Sequence, residues 1–320
     1  MPFASNNGKP LELLQKNGIE YVINPLGRKL NESELAEMLS SYDGLIAGTE
    51  PISAKVLQNA SRLKHISRVG IGLDSVDLVA ARERSISVSY TPDAPSPAVA
   101  ELTIGLIFAL LRSINRADRE MHGGNWTRYF GHRITDAQIG VIGLGRIGGR
   151  VVRHLLALGA TNLLVNDLLG MPKFENNPNI TFTDKDEIYR NADLVSLHVP
   201  LSKETYNLVR REQLSWMKNS AYIINTSRGG IVNEMELYKA LNDGIIAGAA
   251  IDVFEQEPYS GILAGLPNCI LTSHMGSMSY DCRQKMELEA TEESIRFFSD
   301  EKLLNEVPEA EFLLQAKGLK

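Results

Sequence analysis

The feature that most constrains this chain is an apolar run that leads directly into glycines, in IGVIGLGRIGGR at residues 139–150. Gly143, Gly145 and Gly148 have the spacing G-x-G-x-x-G, which predicts a strand that turns sharply into a helix. Such a turn lets backbone N–H groups and the positive end of the helix approach the pyrophosphate of a dinucleotide. Asp167 ends the next predicted strand, nineteen residues after Gly148, where a carboxylate can accept hydrogen bonds from ribose hydroxyls.

The same turn could connect a strand and a helix without binding anything, because a glycine motif alone is a weak signal. The preceding strand, the following helical segment IGGRVVRHLLAL and the acidic residue Asp167 together favour the nucleotide site. A carboxylate at this position repels the 2′-phosphate of NADP, so the predicted cofactor is NAD.

The chain before the glycine motif alternates helical and strand patterns, which is typical of a parallel α/β sheet. Residues 10–18 predict a helix closed by Gly18, and residues 31–43 predict a helix capped by Asn31 or Ser33. The predicted strands in this part of the chain are EYVINP, GLIAG, LKHISRVG and SISVSY. A unit of this kind normally opens with a strand, but no strand pattern precedes the first helix.

A proline-rich span at residues 90–101, YTPDAPSPAVAE, predicts a hinge before a second α/β series. The second series has six predicted strands, the number of a doubly wound nucleotide-binding sheet: IGVIG, TNLLVND, DLVSLHV, AYIINTS, AGAAIDV and CILTSH. A long helix with no further strand is predicted after residue 280. A length of 320 residues accommodates two such domains.

Charge and composition argue against several classes of protein. A net charge of −6 disfavours a nucleic-acid partner, which would require a basic face. Cys269 and Cys282 have neither metal-site nor redox spacing, which predicts a reduced, cytoplasmic protein without a metal. The apolar run at residues 102–111 is too short for a membrane span, and the N-terminal segment lacks the apolar core of a signal peptide. We therefore expect neither a membrane nor a nucleic acid as a partner.

Three polar residues follow late strands of the second series: Arg228 in INTSRGGIV, Glu257 in AIDVFEQEP and His274 in LTSHMGS. Ligands of open α/β sheets bind beyond the carboxyl ends of the strands, so these side chains could meet one ligand. A histidine can protonate the alkoxide left by hydride transfer, a carboxylate can orient it, and an arginine can grip a substrate carboxylate. Each residue also has an ordinary structural interpretation, and spacing alone leaves the choice open.

The order and wording of seven segments resemble the D-isomer-specific 2-hydroxyacid dehydrogenases, most closely the phosphoglycerate dehydrogenase-like branch. The resemblance extends from about residue 10 to about residue 300, through RVGIGLDSVDL, TPDAPSPAVAELTIGLIFALLR, IGVIGLGRIGGRV, LHVPLSKET, INTSRGGIVNEMELYKAL, AGAAIDVFEQEP and SHMGS. It implies a Rossmann NAD-binding domain at residues 93–282, inserted into a flavodoxin-like substrate domain formed by residues 1–92 and 283–320. The absent opening strand is a departure from that pattern, since it would lie centrally in the sheet.

The resemblance also assigns site residues. The family's catalytic arginine, glutamate and histidine fall on Arg228, Glu257 and His274. The implied cofactor contacts are Gly143, Gly145, Arg146, Ile147, Gly148, Asp167, His198, Pro200, Thr205, Thr226, Ser227, Asp252, His274 and Gly276. Among these, Asp252 matches the residue that holds the nicotinamide carboxamide. The implied substrate contacts are Arg68, Val69, Gly70, Ile71, Gly72 and Arg228.

The implied activity is an NAD-dependent hydride transfer at C2 of a small anionic D-2-hydroxy or 2-keto acid, in a homodimer. Phosphoglycerate dehydrogenases carry an arginine–serine pair where this chain has Gly48, Thr49 and Glu50, and a glutamate would repel a phosphate. Hydroxypyruvate or glyoxylate reduction is the other substrate choice within the family. The alternative of another class is a catalytically idle, NAD-sensing interaction module resembling the C-terminal-binding corepressors, which retain the same catalytic set.

Overall fold

The computed structural model describes residues 3–170, 174 and 176–318. The chain divides into two compact units. The first unit contains the chain up to Pro95 together with the chain from Met278 onward, and the second unit is Ser96–Ser277.

The first unit has a parallel sheet that, over the described residues, contains three strands in the order β1-β2-β3. Helices on the sheet bury an apolar core that includes Leu57, Ile66 and Val88. The elements of this unit are α1 (Lys9–Lys16), α2 (Glu32–Leu39), β1 (Gly44–Ala47), α3 (Ala54–Asn59), β2 (His65–Arg68), α4 (Leu78–Glu83), β3 (Ser87–Tyr90), α11 (Tyr280–Phe298) and α12 (Glu309–Ala316).

The ends of the first two helices follow from their sequences. Gly18 adopts a left-handed φ of +69° just beyond α1, a conformation that glycine takes without steric cost. Asn31, not Ser33, caps α2: its side chain accepts the Glu34 N–H, and the Glu34 carboxylate accepts the Asn31 N–H. The two helices expected here are therefore confirmed.

The strand predicted at EYVINP is wrong, because residues 20–25 form neither a strand nor a helix. Val22 and Ile23 are 60% and 38% exposed, so these apolar side chains are not part of the core. A β-strand needs a neighbour to pair its backbone groups, and the described strands of this unit pair with one another and not with this segment. The short apolar run alone is therefore not enough to form a strand.

The second unit has a fully parallel sheet of seven described strands in the order β10-β9-β8-β7-β4-β5-β6. This is the doubly wound order with one strand added, and it reverses between β4 and β7. Its elements are α5 (Ser96–Leu111), α6 (Ile114–His122), β4 (Ile139–Ile142), α7 (Gly148–Ala157), β5 (Leu163–Asn166), β6 (Ile180–Phe182), α8 (Lys185–Asn191), β7 (Leu194–Leu197), α9 (Arg211–Trp216), β8 (Tyr222–Asn225), α10 (Glu234–Asn242), β9 (Gly248–Ile251), a 3-10 turn (Ile262–Gly265) and β10 (Cys269–Leu271).

All six strands expected in the second unit are confirmed. Two short elements were not predicted from the sequence. The first is the strand β6, which has three residues at the edge of the sheet of the second unit. The second is the helix α12 of the first unit, which has no fully buried side chain. The predicted hinge at residues 90–101 is too long, because α5 already begins at Ser96. Pro97 fits there because the first turn of a helix leaves its N–H groups without intrahelical partners.

Within the described part of the chain, no single helix has the length and apolar character to cross a membrane. The helices α5 and α6 meet at an angle of 64°. Only when the two are taken together are they long and apolar enough for a membrane span, and this rests on length and composition alone.

Candidate active site

The glycine turn lies where the strand order reverses, between β4 and α7. Gly143 has φ +96°, and a Cβ there would lie 2.5 Å from the carbonyl oxygen of His198, which follows β7. A Cβ on Gly148 would lie 1.9 Å from the Gly143 carbonyl oxygen, so the start of α7 can pack on the turn only with glycine. A Cβ on Gly145 would meet nothing within 4 Å, which leaves open space above the turn.

Asp167 follows β5 and faces this turn. Its carboxylate accepts the Leu144 N–H at 2.6 Å and the Leu169 N–H at 2.8 Å. The acid is therefore held beside the glycine turn, although it is far from that turn in sequence.

These residues fit a dinucleotide. The open side of Gly145 leaves room for a pyrophosphate at the N-terminus of α7, whose partial positive charge favours an anion. The carboxylate of Asp167 lies beside the turn, where an acidic residue in this kind of fold can accept hydrogen bonds from the ribose hydroxyls. Arg146 and Ile147 complete the turn between the last two glycines.

The loop after β7 carries the next expected cofactor contacts. His198 Nε2 lies 2.8 Å from Ser196 Oγ, and burial lowers the pKa of His198 to about 3, so the ring is neutral at physiological pH. The Thr205 hydroxyl donates to the Pro200 carbonyl at 2.6 Å and accepts the Ser202 N–H at 2.7 Å. Thr205 thus closes its own loop, and a neutral His198 cannot serve as a proton donor.

Arg228 lies three residues beyond β8, in a loop that buried polar side chains hold. The Asn225 side-chain amide donates to the Arg228 carbonyl at 2.8 Å, and its oxygen accepts the Ser227 N–H at 3.1 Å. Ser227 Oγ donates to the Leu197 carbonyl at 2.6 Å, which ties this loop to β7. The Thr226 hydroxyl lies 2.9 Å from that of Thr103 on α5.

A close approach of two backbones connects the Arg228 loop to the loop after β9. A Cβ on Gly229 would lie 2.0 Å from the carbonyl carbon of Phe254, so only glycine permits the contact. The Phe254 N–H in turn donates to Glu257 Oε1 at 3.1 Å. The contact therefore fixes where the Arg228 loop lies relative to the Glu257 carboxylate.

Glu257 and His274 form a pair between the loops after β9 and β10. His274 Nδ1 lies 2.8 Å from Glu257 Oε2 and 3.1 Å from Oε1, and the side chains of His274 and Glu257 are 37% and 34% exposed. Because Nδ1 faces the carboxylate, Nε2 is the nitrogen that can exchange a proton with a ligand. The pair has the geometry of a general acid with its orienting carboxylate.

Asp252 follows β9 and is only 1% exposed. Its Oδ1 accepts the Thr272 hydroxyl at 2.6 Å and the Met275 N–H at 2.9 Å, and its Oδ2 accepts the Gly276 N–H at 3.0 Å. The Asp252 carbonyl accepts the His274 N–H at 2.8 Å. The residue expected at the nicotinamide carboxamide therefore also holds the loop that carries His274.

The substrate loop expected from the sequence belongs to the first unit and follows β2. The Val69 N–H donates to the Ala47 carbonyl at 2.8 Å, and the Gly70 N–H donates to Thr91 Oγ1 at 2.7 Å. The Arg68 guanidinium is buried over Gly70, where a Cβ would meet Nη1 at 2.7 Å, and it donates to the Val69 carbonyl. Ile71 and Gly72 follow at the half-exposed end of the loop.

Sequence reasoning missed two residues that shape the site, Asn225 and Thr272. Asn225 is a buried polar residue at the end of an otherwise apolar strand, and such a residue must find hydrogen-bond partners. That rule could have identified it. Thr272 had no signal in the sequence, since its role depends on Asp252, twenty residues away. Over the described residues, no cluster of three or more histidine, cysteine or acidic side chains could hold a metal ion.

Comparisons with known proteins agree with this geometry. The family model described as the D-isomer specific 2-hydroxyacid dehydrogenase NAD-binding domain matches residues 104–276, more than half of the 320-residue chain. The glyoxylate reductase of Thermofilum pendens is 40% identical over 266 residues, which are 80% of this chain and 78% of that protein.

Two further relatives differ in how much of their length is matched. The D-3-phosphoglycerate dehydrogenase of Methanocaldococcus jannaschii is 38% identical over 80% of this chain, but the match covers only 49% of that protein. The crystal structure of the TT0316 protein from Thermus thermophilus superposes with a TM-score of 0.86 at 34% identity. That superposition covers 94% of this chain and 97% of the other.

Proposed function

Because the chain belongs to the D-isomer-specific 2-hydroxyacid dehydrogenase family and is thus an NAD-dependent oxidoreductase, we propose that Arg228, Glu257 and His274 carry its chemistry. Arg228 binds the carboxylate of a small 2-keto acid and polarises its carbonyl group, as a bidentate guanidinium can do. His274 donates the proton, and Glu257 orients its ring.

When bound, the reduced nicotinamide supplies a hydride to the carbonyl carbon. The carbonyl oxygen then needs one proton, which His274 delivers from Nε2 while Nδ1 stays directed at Glu257. The product is the 2-hydroxy acid, and the histidine is left neutral and takes up a proton from solvent.

The single observation that carries this proposal is the 2.8 Å contact between His274 Nδ1 and Glu257 Oε2 beyond two adjacent strand ends. The test is a panel of 2-keto acids with NADH, followed by the loss of NADH absorbance. We expect turnover with at least one small 2-keto acid. A panel without turnover would favour the NAD-sensing module, although the names of both curated relatives above favour the enzyme.

Within this class we propose a small, non-phosphorylated acid such as glyoxylate or hydroxypyruvate. Glu50 follows β1, and its carboxylate packs over Gly48, where a Cβ would lie 2.9 Å from Oε2. A negative charge beyond this strand disfavours a substrate phosphate. The Val69 and Gly70 N–H groups serve the local fold, so we expect Ile71 and Gly72 to donate to the substrate carboxylate, with Arg68 adding positive charge.

The remaining assignments extend the same proposal. Residues 93–282 would be the NAD-binding domain, and residues 1–92 with 283–320 the substrate domain. Gly143, Gly145, Arg146, Ile147 and Gly148 would bind the pyrophosphate, and Asp167 the ribose. The nicotinamide would lie against residues of the later loops: His198, Pro200, Thr205, Thr226, Ser227, Asp252 and Gly276. We further propose a cytoplasmic enzyme, since it would draw on a soluble NAD pool.

We expect clear preference for NADH over NADPH, since the Asp167 carboxylate would face the 2′-phosphate. Asp167→Ala and Asp167→Asn should reduce the ratio of the two kcat/KM values by roughly 10- to 100-fold, as repulsion at short range predicts. Asp167→Asn separates charge from shape, because an amide oxygen can still accept the Leu144 N–H. Asp186→Ala, an exposed acid on α8, is the control. Equal efficiency with both cofactors in the unmodified protein would contradict the assignment.

Glu257→Gln should lower kcat for reduction by roughly 10-fold or more, because Glu257 orients the ring of His274 and a misplaced catalytic group is costly. The KM for the keto acid should change little, since Glu257 acts on His274 and not on the substrate carboxylate. The measurement is kcat and KM for both proteins, with the exposed Glu255→Gln as the matched control. An unchanged kcat would show that Glu257 does not act on His274.

We expect a homodimer formed through the second unit. Trp126, Phe130, Ile114 and Met121 are exposed apolar side chains on α6 and in the loop that follows it, and a large exposed apolar patch marks an interaction surface. Light scattering at micromolar concentration should report twice the chain mass of 35.3 kDa. Trp126→Ser with Phe130→Ser should shift the protein toward the monomer. A monomeric unmodified protein would refute this expectation.

A further inference from the structure

The backbone at His274 has a conformation that a histidine rarely adopts. Its φ is +52°, in the left-handed region, and non-glycine residues there persist only when the surrounding structure holds them. The ring of His274 nevertheless lies 2.8 Å from Glu257, so its direction depends on this conformation. Some feature of the second unit must therefore hold the loop on both sides of the histidine.

The carboxylate of Asp252 fixes the loop on both sides of His274. It accepts the hydroxyl of Thr272, two residues before His274, and the N–H groups of Met275 and Gly276, directly after it. The His274 N–H itself donates to the Asp252 carbonyl. Every residue from 272 to 276 except Ser273 thus donates a hydrogen bond to the Asp252 carboxylate or, for His274, to the Asp252 carbonyl. We call the carboxylate and its three donors the Asp252 clasp.

Burial makes the Asp252 clasp sensitive to the loss of one donor. Asp252 is 1% exposed, and a buried carboxylate is stable only when hydrogen bonds replace its water. Thr272 makes the shortest of the three bonds, at 2.6 Å, and supplies the one donor that belongs to a side chain. It is therefore the donor that substitution can remove without altering the backbone.

The third donor approaches closely because its residue has no side chain. A Cβ on Gly276 would lie 3.2 Å from Asp252 Oδ2 and 3.2 Å from Val99 Cγ2, which is tighter than most real contacts. The N–H of Gly276 reaches the carboxylate where a larger residue would press against it. The Asp252 clasp thus combines a buried acid, a hydroxyl and a glycine placed for close approach.

We propose that Thr272 is a positioning residue for the reaction, acting through Asp252 to hold the His274 ring against Glu257. This deepens the proposed function, on which it rests, since it matters only if His274 is the proton donor. Loss of the Thr272 hydroxyl frees one side of the loop, and the histidine ring drifts from the Glu257 carboxylate that orients it.

The test compares Thr272→Val, which keeps the shape and removes the hydroxyl, with Thr272→Ser, which retains it. Thr272→Val should lower kcat by roughly 10- to 100-fold, as expected from a misplaced catalytic group. The KM for the keto acid should change little, as expected for Glu257→Gln, because Thr272 acts on the position of His274 and not on substrate binding. Thr272→Ser should restore kcat, and Thr181→Val, an exposed threonine on β6, should change neither constant.

The double variant Thr272→Val with Glu257→Gln separates positioning from a loss of folding. If Thr272 acts through the contact of His274 with Glu257, the loss of kcat in the double variant should be smaller than the product of the two single losses, because coupled residues are not additive. Losses that multiply would overturn the proposal. So would an unchanged kcat in Thr272→Val, or a loss of activity that only follows a lower folded fraction in thermal unfolding.

A wrong role for Thr272 can be distinguished from a wrong proposed function by comparing the Thr272 and His274 variants. If His274→Asn retains turnover, the proposed function is wrong whatever Thr272 does. If His274→Asn is inactive while Thr272→Val has the kcat and KM of the unmodified protein, only the role of Thr272 is wrong.

Discussion

Replacing His274 by asparagine should lower kcat for reduction by roughly two to four orders of magnitude, the usual contribution of a positioned general acid. Asparagine suits the left-handed backbone at this position, and its side-chain amide can still donate to Glu257. It cannot give up a proton, so the alkoxide must be protonated from water. The affinity for NADH, measured by fluorescence titration, should change little.

The matched control for His274→Asn is a substitution at a histidine to which we assign no role. His132 is exposed in the second unit, and His132→Gln should leave kcat and NADH binding as they are. If His274→Asn turns over within a few-fold of the unmodified protein, another group delivers the proton. His198 would be a poor substitute, because burial lowers its pKa to about 3, and the neutral ring present near neutral pH is a far weaker acid than an imidazolium.

Replacing Arg228 by glutamine should lower kcat/KM by roughly 100- to 1000-fold, as the removal of one oxyanion donor does in other enzymes. In contrast to His274→Asn, this change should also raise KM for the keto acid, because the guanidinium binds the carboxylate of the ground state. Arg228→Lys should recover only part of the loss, since a lysine cannot make the planar, two-point contact.

Arg211, exposed at the start of α9, provides the control, and Arg211→Gln should leave both constants unchanged. The decisive measurement is the split between KM and kcat. An Arg228→Gln enzyme with the KM of the unmodified protein would mean that the substrate carboxylate is bound elsewhere, for example by the loop that follows β2.

The sequence predicted the second unit better than the first, for a physical reason. The strands β4, β7 and β9 are apolar runs buried on both faces of a parallel sheet, and such runs are identifiable without their neighbours. Residues 20–25 also contain a short apolar run, but a strand exists only with a partner, and that pairing is not visible locally. The three-residue strand β6 was missed because it is too short for a pattern.

Part of the candidate site could likewise be predicted from the sequence, and part could not. Arg228, Glu257 and His274 were predicted because strand ends of one parallel sheet share an edge, and a family resemblance singled them out. The contacts that hold them, such as those of Asn225 and Thr272, depend on exact distances between loops. The spacing of residues along the sequence does not determine the distances between these loops.

The contact between Gly229 and Phe254 has a consequence for how this site can change over time. The loop of Arg228 and the turn that holds Glu257 touch backbone to backbone, so any side chain at position 229 displaces both. A single substitution there would disturb substrate anchoring and proton delivery together, and a second substitution in either loop alone could restore only one of them. Substitutions that change the substrate are therefore easier to accommodate at the half-exposed Ile71 and Gly72 than at this contact.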